Sequence, residues 1–287
     1  MFDKAIVLGA GGMLGRCVTA ELTRRGAAHR AYRHADLDLG DFDAIRQRLS
    51  EAQPAIIFNC AAFTRVDDCE TQRDDAMRIN GEAVGVLAET ARRLDALLVH
   101  ISSDYVFGGD GTRPYREDDA PAPDHALSAY GLSKLEGDRR IVASGCRHLI
   151  ARTSWVYGTG GPNFVDAIIR AAHSRPELSV VNDQRGRPTY AADLCEGIFR
   201  LLDRGAEGLV NVTNSDECTW YEFACEIVRR AGLHTPVRPC TTAEFPRPAR
   251  RPAYSVLDIA RFVALVGAPL RSWREALGAY LEARGVE

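Results

Sequence analysis

The sequence is nearly devoid of lysine. Lysine and arginine together number 36 in 287 residues, yet only Lys4 and Lys134 are lysines. Arginine is a planar fork that stays charged, whereas lysine is a compact point charge on a flexible stem, so the two are not interchangeable where geometry or pKa matters. The lysine at position 134 therefore indicates a site that needs an ammonium group.

Other absences exclude several classes of protein. The formal net charge of −3 gives no basic surface of the kind that binds nucleic acid or an anionic membrane, and neither is expected as a partner. No apolar run reaches the roughly 18 residues of a membrane span. The N-terminal sequence MFDKAIVLGAGG leads straight into a strand-like run and lacks the parts of a secretory signal. With 46% hydrophobic residues, the composition predicts a cytoplasmic globular protein.

The cysteine and histidine patterns do not predict a metal site. The eight cysteines contain no C-x-x-C pair, and no histidine pairs with another histidine or a cysteine at the spacing of metal ligands. Without a secretory signal, the cysteines are expected to be reduced thiols. We therefore expect neither a disulfide framework nor a bound transition metal.

Up to about residue 155, strand-like apolar runs alternate with helical patterns. The runs are AIVLG, AHRAY, AIIFNCAA, ALLVHIS and RHLIARTSW, and one of the helices is expected from about Asp74 to Arg93. Such alternation predicts an α/β fold with a doubly wound, Rossmann-like parallel sheet. Residues 1–155 would then form an NAD(P)-binding domain. Residues 156–287 are expected to form mainly a smaller C-terminal α/β substrate domain, with a return of the chain near residues 190–213.

A glycine motif follows the first strand and opens the first helix. Its glycines, Gly9, Gly12 and Gly15, are spaced G-x-x-G-x-x-G, with Met13 and Leu14 at the start of the helix. Glycine permits a tight turn and a close approach of the backbone to a pyrophosphate, which a helix N-terminus attracts. In the first β-α turn of such a sheet, the motif predicts a dinucleotide site.

The end of the second strand predicts which dinucleotide binds. A carboxylate there would bind the ribose hydroxyl of NAD, whereas an arginine accommodates the 2′-phosphate of NADP. The strand ends in Arg33 with no acid beside it, which favours NADP(H). Asp36 and Asp38 follow closely, so NAD(H) is kept as an alternative.

Ser103, Tyr130 and Lys134 are expected to form the catalytic site. Ser103 ends the fourth strand, and open α/β sheets bind ligands at the carboxyl ends of their strands. Tyr130 and Lys134 are four residues apart and so share one face of a helix. An ammonium beside a phenol lowers the pKa of the phenol, and the serine hydroxyl can hold the same substrate oxygen. With a nicotinamide in the crevice, the three side chains predict reversible reduction of a carbonyl group.

These motifs resemble those of the extended short-chain dehydrogenase/reductase family, which combines a G-x-x-G-x-x-G turn, a Ser or Thr after the fourth strand, and Y-x-x-x-K. Further segments are similar to its sugar-nucleotide 4-ketoreductases: GAGGMLG, NCAAFTRVDDCE, RIN, HISSDYVFGG, YGLSKLEGD, RTSWVYGTGGPNF, SVVNDQRGRPT and PARRPAYSVLD. The resemblance covers residues 9 to about 258. It implies NADPH-dependent reduction of the 4-keto group of a dTDP-linked 4-keto-6-deoxy sugar.

The resemblance also implies roles for individual residues. Tyr130 would be the general acid, Lys134 its electrostatic and ribose-binding partner, and Ser103 the hydroxyl that the family usually supplies as threonine. Besides Tyr130 and Lys134, the cofactor would contact Gly9, Gly12, Met13, Leu14, Gly15, Arg33, Asp38, Leu39, Cys60, Ala61 and Ala62. The sugar nucleotide would contact Ser103, Asp104, Tyr105, Tyr130, Trp155, Asn163 and Arg187.

The sequence leaves alternatives open. A sugar-nucleotide epimerase or 4,6-dehydratase would use the same Tyr and Lys with tightly held NAD, although the glutamate of the dehydratase T-D-E pattern is Tyr105 here. Some relatives with this fold are non-catalytic regulatory subunits of methionine adenosyltransferase, which are free to lose the three catalytic residues. The chain has no match for the acidic residues that bind Mg²⁺ between subunits in some relatives. No metal is therefore inferred, and a monomer or a homodimer is expected.

Overall fold

The structure, a computed structural model, describes residues 4–285. Its first half alternates strands and helices, as expected from the sequence. The strands are β1 (Ala5–Leu8), β2 (His29–Tyr32), β3 (Ile56–Asn59), β4 (Leu97–Ser103) and β5 (His148–Thr153), and the helices are α1 (Met13–Arg24), α2 (Phe42–Ala52), α3 (Arg73–Met77), α4 (Ala83–Arg93) and α5 (Ala129–Ser144).

The second half has shorter strands. They are β6 (Val156–Tyr157), β7 (Leu178–Val181), β8 (Arg185–Gly186), β9 (Thr189–Tyr190), β10 (Gly208–Asn211), β11 (Cys218–Thr219) and β12 (Val237–Cys240). The helices are α6 (Phe164–Ser174), α7 (Ala191–Asp203), α8 (Trp220–Arg230), α9 (Ala260–Val266) and α10 (Trp273–Arg284). Three two-stranded sheets pair β6 with β9, β7 with β12, and β8 with β11.

The main sheet has six parallel strands in the order β2-β1-β3-β4-β5-β10. Successive side chains of a strand point to opposite faces, and all four residues of β1 are buried, so both faces of the sheet are covered. Ala5 and Val7 pack with α1 and α7 on one face, and Ile6 and Leu8 pack with α2, α4 and α5 on the other. The predicted doubly wound, Rossmann-like α/β fold is confirmed.

The second half of the chain contributes one strand to this sheet. β10 pairs in parallel with β5, with Gly208 opposite Leu149, and α7 leads into it. Most of the remaining elements surround a separate core, in which Tyr157, Phe223 and Trp273 are buried between α6, α8 and α10. The division into two domains near residue 155 stays a prediction.

The helix expected from Asp74 to Arg93 is not regular. A π-helical turn over Arg78–Glu82 joins α3 to α4, and such turns occur frequently at functional sites. The side chain of Asn80, in this turn, accepts a hydrogen bond from the amide of Phe63 (2.8 Å) and donates to the hydroxyl of Ser133 (3.0 Å). The turn therefore ties the segment after β3 to α5.

Three further observations concern the whole described chain. Within residues 4–285, no helix is both long and apolar enough to cross a membrane. All eight cysteines are free thiols. In the same residues, no three His, Cys, Asp or Glu side chains come together as metal ligands would.

Candidate active site

Strand β4 and helix α5 bring the predicted catalytic side chains together. Ser103 is the last residue of β4, and Ser128 begins α5 because its hydroxyl accepts a hydrogen bond from the amide of Gly131 (3.1 Å). Tyr130 lies in the first turn of α5, and its phenol is close enough to the Ser103 hydroxyl for that hydroxyl to lower its pKa. Lys134 follows one turn later and is only 2% exposed. All three lie at the carboxyl edge of the sheet.

The protonation of Tyr130 differs from the expectation. Burial raises the pKa of Tyr130 above its usual 10, and the hydrogen bond with Ser103 opposes this shift only in part. The Nζ atom of Lys134 lies 3.3 Å from Nε2 of His100 on β4. Burial also lowers the pKa of Lys134 from 10.5 to about 8, with Asp138 opposing. The phenol is therefore neutral near pH 7, which is the form that can donate a proton.

Asp104 sets the direction of the Ser103 hydroxyl. The Ser103 oxygen donates to Oδ1 of Asp104 (3.0 Å) and accepts from the amide of Tyr105 (3.2 Å). Asp104 is 1% exposed, and burial raises its pKa to about 6. The carboxyl group of Asp104 thus titrates close to neutral pH, in direct contact with a predicted catalytic hydroxyl.

Two buried residues of the site were not expected from the sequence. His100 is fully buried between Lys134 and Asn59, and the Asn59 amide nitrogen lies 3.1 Å from His100 Nδ1. Asp138 lies one turn after Lys134 on α5 and accepts a hydrogen bond from Ser102 (2.6 Å). Their signals in the sequence are a histidine inside an apolar strand and an acid four residues after the lysine.

The glycine turn lies beside the end of β3. Gly9 has a φ of +73°, which a residue with a side chain rarely adopts, and a Cβ on it would lie 2.7 Å from the amide nitrogen of Ala61. A Cβ on Gly15 would lie 2.8 Å from Cα of Ala10. The N-cap of α1, Gly12, is less crowded, since the nearest atom to its Cβ position is 3.4 Å away. Gly9 and Gly15 are thus needed to form the turn, whereas Gly12 keeps space open at the helix N-terminus.

The other predicted cofactor residues surround this turn. Met13 and Leu14 form the first turn of α1, where the side chain of Leu14 packs in the core. Cys60, Ala61 and Ala62 follow β3 and are partly exposed. Because β1 and β3 are adjacent strands, both segments lie at one edge of the sheet.

The residues after β2 divide into exposed and buried ones. Arg33 is exposed, and its Cγ lies 3.6 Å from the Cβ position of Gly11, so its side chain lies beside the glycine turn. Asp38 is exposed and accepts a hydrogen bond from the amide of Gly40 (2.8 Å). Leu39, in contrast, is 4% exposed and packs in the core. Arg33 and Asp38 can contact a cofactor through their side chains, and the side chain of Leu39 cannot.

An open groove of about 500 Å³ continues from Asp38 along the start of α2. The guanidinium of Arg78, from the π-helical turn, lies 4.4 Å from the ring centre of Phe42 and forms one wall of the groove. Arg78, the first residue of the RIN segment, was not predicted to line the site. The groove thus adjoins Asp38, one of the predicted cofactor residues.

Tyr105 and Trp155 present aromatic rings on the other side. Tyr105 follows Asp104 in a short 3₁₀ turn, and its ring contacts that of Tyr130. Trp155 stacks on Trp220 with ring centres 3.6 Å apart and planes 9° apart. Its φ is +49°, a conformation that costs a residue with a side chain about 1–3 kcal/mol. Trp220 was not predicted, because nothing in the sequence shows that α8 begins opposite Trp155.

Asn163 and Arg187 use their polar groups differently. Asn163 is the N-cap of α6, where it accepts from the amide of Asp166 (3.0 Å) and donates to the carbonyl of Gly158 (3.0 Å). Arg187 is half-buried, and within residues 4–285 its Nε and Nη1 have no hydrogen-bond partner. Burial lowers the pKa of Arg187. Arg187 can therefore bind an anionic ligand, whereas Asn163 has a structural role that accounts for its contacts.

The two halves of the site together define a class of protein. A glycine turn at a helix N-terminus binds the phosphates of a dinucleotide, and a neutral phenol at a neighbouring strand end donates a proton. Both lie on one edge of a doubly wound sheet, with the Y-x-x-x-K spacing on α5. This combination is typical of the extended short-chain dehydrogenases/reductases, which are oxidoreductases.

Comparison with known proteins narrows the class. The model of the family described as the RmlD substrate binding domain matches residues 3–285, so the chain belongs to this family. It is 43% identical over 281 residues to the spore coat polysaccharide biosynthesis protein SpsK of Bacillus subtilis, covering 98% of both chains. It is 43% identical to the dTDP-4-dehydrorhamnose reductase of Streptomyces griseus, covering 95% of this chain and 91% of that one. The dTDP-4-dehydrorhamnose reductase of Bacillus anthracis, solved in complex with NADP, superposes with a TM-score of 0.93 at 37% identity, covering 99% of this chain and 100% of that one. The resemblance found in the motifs is confirmed.

Proposed function

We propose that the chain catalyses the NADPH-dependent reduction of the 4-keto group of a dTDP-4-keto-6-deoxy sugar, converting dTDP-4-dehydro-L-rhamnose to dTDP-L-rhamnose. The observation that carries this proposal is the half-buried, neutral phenol of Tyr130, beside Ser103 on the sheet edge that also holds the glycine turn. The name of the Streptomyces griseus relative supports the choice of sugar and nucleotide.

NADP(H) fits the residues around the glycine turn. The space at Gly12 adjoins the free amides of the first turn of α1, which attract phosphate. Arg33 lies beside the turn with an exposed guanidinium that can pair with a 2′-phosphate. The Bacillus anthracis relative binds NADP. When bound, the cofactor supplies the hydride, and the residues of the chain handle the substrate oxygen.

The catalytic side chains act on this oxygen. Tyr130 donates its phenolic proton to the carbonyl oxygen of the sugar, which becomes the hydroxyl of the product. Ser103 donates to the same oxygen when its hydroxyl turns from Asp104 to the substrate, and a positive charge on Lys134 stabilises the phenolate that remains on Tyr130. Because Ser103 and Lys134 are buried, the proton transfer takes place away from bulk water.

The sugar nucleotide occupies the side of the site formed by the second half of the chain. The unpaired nitrogens of Arg187 fit the negative charge of a diphosphate. The rings of Tyr105 and Trp155 offer apolar surfaces to the sugar. Residues 156–287, apart from α7 and β10, thereby serve mainly as the substrate domain.

A substrate panel tests the proposal. The purified chain is incubated with NADPH or NADH and with dTDP- and UDP-linked 4-keto-6-deoxy sugars, and cofactor oxidation and products are measured. We expect oxidation with dTDP-4-dehydro-L-rhamnose and formation of dTDP-L-rhamnose. If the cofactor is oxidised only with a different sugar nucleotide, that sugar nucleotide is the substrate and the proposed one is wrong. Stoichiometric bound NAD, with interconversion of two sugars and no net oxidation, would make the chain an epimerase.

A further inference from the structure

His100 lies at a position that the proposed mechanism does not use. It is fully buried in β4, with Nδ1 3.1 Å from Nδ2 of Asn59 and Nε2 3.3 Å from Nζ of Lys134. Both neighbours are nitrogen atoms that ordinarily donate hydrogen bonds. A neutral imidazole carries one proton, so only one of its two nitrogens can accept. The two contacts therefore cannot both be made by ordinary donors.

The amide of Ala61 decides which ring nitrogen accepts. Its N–H donates to Oδ1 of Asn59 (3.3 Å), so the side-chain NH₂ group of Asn59 is the one that faces His100. Nδ1 of His100 must then accept, and the ring proton is on Nε2. This proton points at Nζ of Lys134, which can accept it only as a neutral amine. The hydrogen bonds are therefore all donated in the same direction. Ala61 donates to Asn59, Asn59 to His100, and His100 to Lys134.

The carboxylate one turn after Lys134 on α5 has other partners. Asp138, one turn later on α5, accepts from the hydroxyl of Ser102 on β4 (2.6 Å) and from Nη2 of Arg152 on β5 (3.3 Å). Tyr130, one turn earlier, is neutral because burial raises its pKa. Within residues 4–285, no carboxylate accepts a hydrogen bond from Nζ of Lys134.

Two further titratable groups on the neighbouring strands, His100 and Cys60, are neutral at pH 7. Burial lowers the pKa of His100 well below 6.5, and the positive charge of Lys134 lowers it further. At the end of β3, burial raises the pKa of the Cys60 thiol to about 12. The pKa of Lys134 itself is lowered to about 8 by burial. Above about pH 8, therefore, Lys134 is a neutral amine that can accept the hydrogen bond of a neutral imidazole.

We propose that His100 is a positioning residue that presents its Nε2–H to Lys134, stabilises the neutral amine in the free protein at alkaline pH, and thereby couples cofactor binding at alkaline pH to the uptake of one proton by Lys134. The proton comes from the solvent and ends on Nζ, and no other bond changes. The coupling rests on the proposed function, because it requires an anionic cofactor near Lys134, whose charge favours the ammonium form. The tautomer of His100 does not depend on the cofactor.

The scarcity of lysine allows a direct test by NMR. Protein labelled with carbon-13 at lysine Cε gives two side-chain signals, which a Lys134→Met variant assigns, and the exposed Lys4 is the internal reference. Nitrogen-15 shifts of the imidazole, assigned with His100→Gln, give the tautomer. We expect the Nε2–H tautomer and a Lys134 titration midpoint near pH 8. An Nδ1–H tautomer, or a Lys134 signal with its midpoint at the usual 10.5, would overturn the proposal.

Asn59→Asp should reverse the direction of these hydrogen bonds. An aspartate accepts from both Ala61 and Nδ1 of His100, so Nε2 becomes an acceptor for a charged Lys134. We expect the tautomer to switch and the Lys134 midpoint to rise by roughly one pH unit or more. The added negative charge alone also raises this midpoint, so the control is the double variant Asn59→Asp, His100→Leu. An equal rise in the double variant would exclude a role for His100. If these variants do not fold, the wild-type tautomer and titration still decide.

The pH dependence of NADPH binding gives a second test of the proposal. If Lys134 takes up a proton when NADPH binds, the affinity for NADPH should fall as the pH rises above 8, by up to about tenfold per pH unit. Added NADPH should also shift the NMR signal of Lys134 towards that of the ammonium form. An affinity that is constant from about pH 7 to about pH 10 would exclude the coupling. A wild-type chain that does not bind NADPH at all would instead contradict the proposed function, and the measurements on the free protein would still test His100.

Discussion

The rings of Tyr105 and Tyr130 meet edge to face, with centroids 5.5 Å apart and planes at 80°. Aromatic pairs in such arrangements contribute about 0.5–1.5 kcal/mol beyond the area that they bury. The contact uses the ring of Tyr130 and not its hydroxyl, so the ring is held whether or not the hydroxyl is present. A mutation can therefore remove the phenolic proton of Tyr130 while the packing of its ring stays the same.

Tyr130→Phe is expected to remove most of the reductase activity and to leave cofactor affinity close to that of the wild type. Only the proton donor is lost, and a general acid contributes on the order of 10²-fold or more in rate. Steady-state kinetics and direct titration with NADPH measure the two quantities. Tyr221→Phe, on α8, is the matched control. Normal turnover by the Tyr130 variant would mean that the general acid has been misassigned.

Lys134→Arg keeps the positive charge and changes its shape. Lys134 is 2% exposed, and a guanidinium is wider than an ammonium and does not give up its proton. We expect weaker NADPH binding and a rate that is lower by roughly tenfold or more. Lys4→Arg, at the exposed second lysine, should leave both quantities unchanged. Wild-type kinetics for Lys134→Arg would show that neither the compact shape nor the neutral form of this lysine matters.

Gly12→Ala tests the cofactor site without disturbing the turn. The backbone of Gly12 (φ −78°, ψ 172°) suits any residue, and the nearest atom to its Cβ position is 3.4 Å away. We expect wild-type thermal stability but NADPH affinity reduced by about tenfold or more, because the methyl group occupies the space that the pyrophosphate approaches.

The matched variant is Gly15→Ala, whose Cβ would lie 2.8 Å from Cα of Ala10, and it should lose thermal stability as well. Unchanged NADPH affinity in Gly12→Ala would place the phosphates elsewhere.

Lys134 should make the folded state less stable near neutral pH than at alkaline pH. Its pKa is about 8 in the folded chain, against an ordinary 10.5. Below pH 8 the amine is protonated in both states, so the cost of burying its charge is fully present. Between pH 8 and 10.5 the unfolded chain binds more protons, and the free energy of unfolding rises with pH, by on the order of 3 kcal/mol in total.

Urea unfolding of the wild type and Lys134→Met measures this effect. The variant lacks the titrating amine, so its advantage in free energy of unfolding should shrink as pH rises from about 8 to about 10. Comparing the two chains cancels the titration of the other groups to first order. A difference that is independent of pH would mean that folding does not perturb the pKa of Lys134.

Local patterns in the sequence were sufficient to predict the fold and where Ser103, Tyr130 and Lys134 lie in it. The alternation of apolar runs predicted the parallel sheet, and the spacing of Tyr130 and Lys134 placed both on one face of α5. Ser103 followed from the end of β4. Each of these inferences needs only neighbouring residues and the rule that ligands bind at the carboxyl ends of parallel strands.

The rest of the site depends on contacts between distant segments. His100 is 34 residues from Lys134 and 41 from Asn59 in the sequence, and neither spacing implies a contact. Burial is also a property of the folded chain, so the helical spacing predicted a lowered pKa for Tyr130 where burial raises it. The burial of the Leu39 side chain in the core was likewise not visible in the sequence, and its contact with the cofactor stays a prediction.

Arg33→Ala is expected to lower kcat/KM for NADPH and to leave that for NADH nearly unchanged. A guanidinium paired with the 2′-phosphate makes charge-assisted hydrogen bonds of about 1.5–3 kcal/mol, which correspond to a preference of roughly 10-fold to 100-fold. Arg33 is exposed, so screening by salt reduces this figure. Asp36, which accepts a hydrogen bond from the amide of Arg33 (2.9 Å), places a negative charge close by and reduces it further.

The matched control for Arg33 is Arg30→Ala, which removes an exposed arginine from β2 and changes the net charge equally. Both cofactors are measured for the wild type and both variants, at low and at physiological ionic strength. A pairing specific to Arg33 should make the NADPH preference collapse in Arg33→Ala alone, and most strongly at low salt. An equal loss of NADPH preference in the two variants would show that the effect comes from net charge alone. A wild type that prefers NADH would remove the role of Arg33 and leave the assignment of Tyr130 intact, because the phenol acts on the sugar oxygen whichever cofactor supplies the hydride.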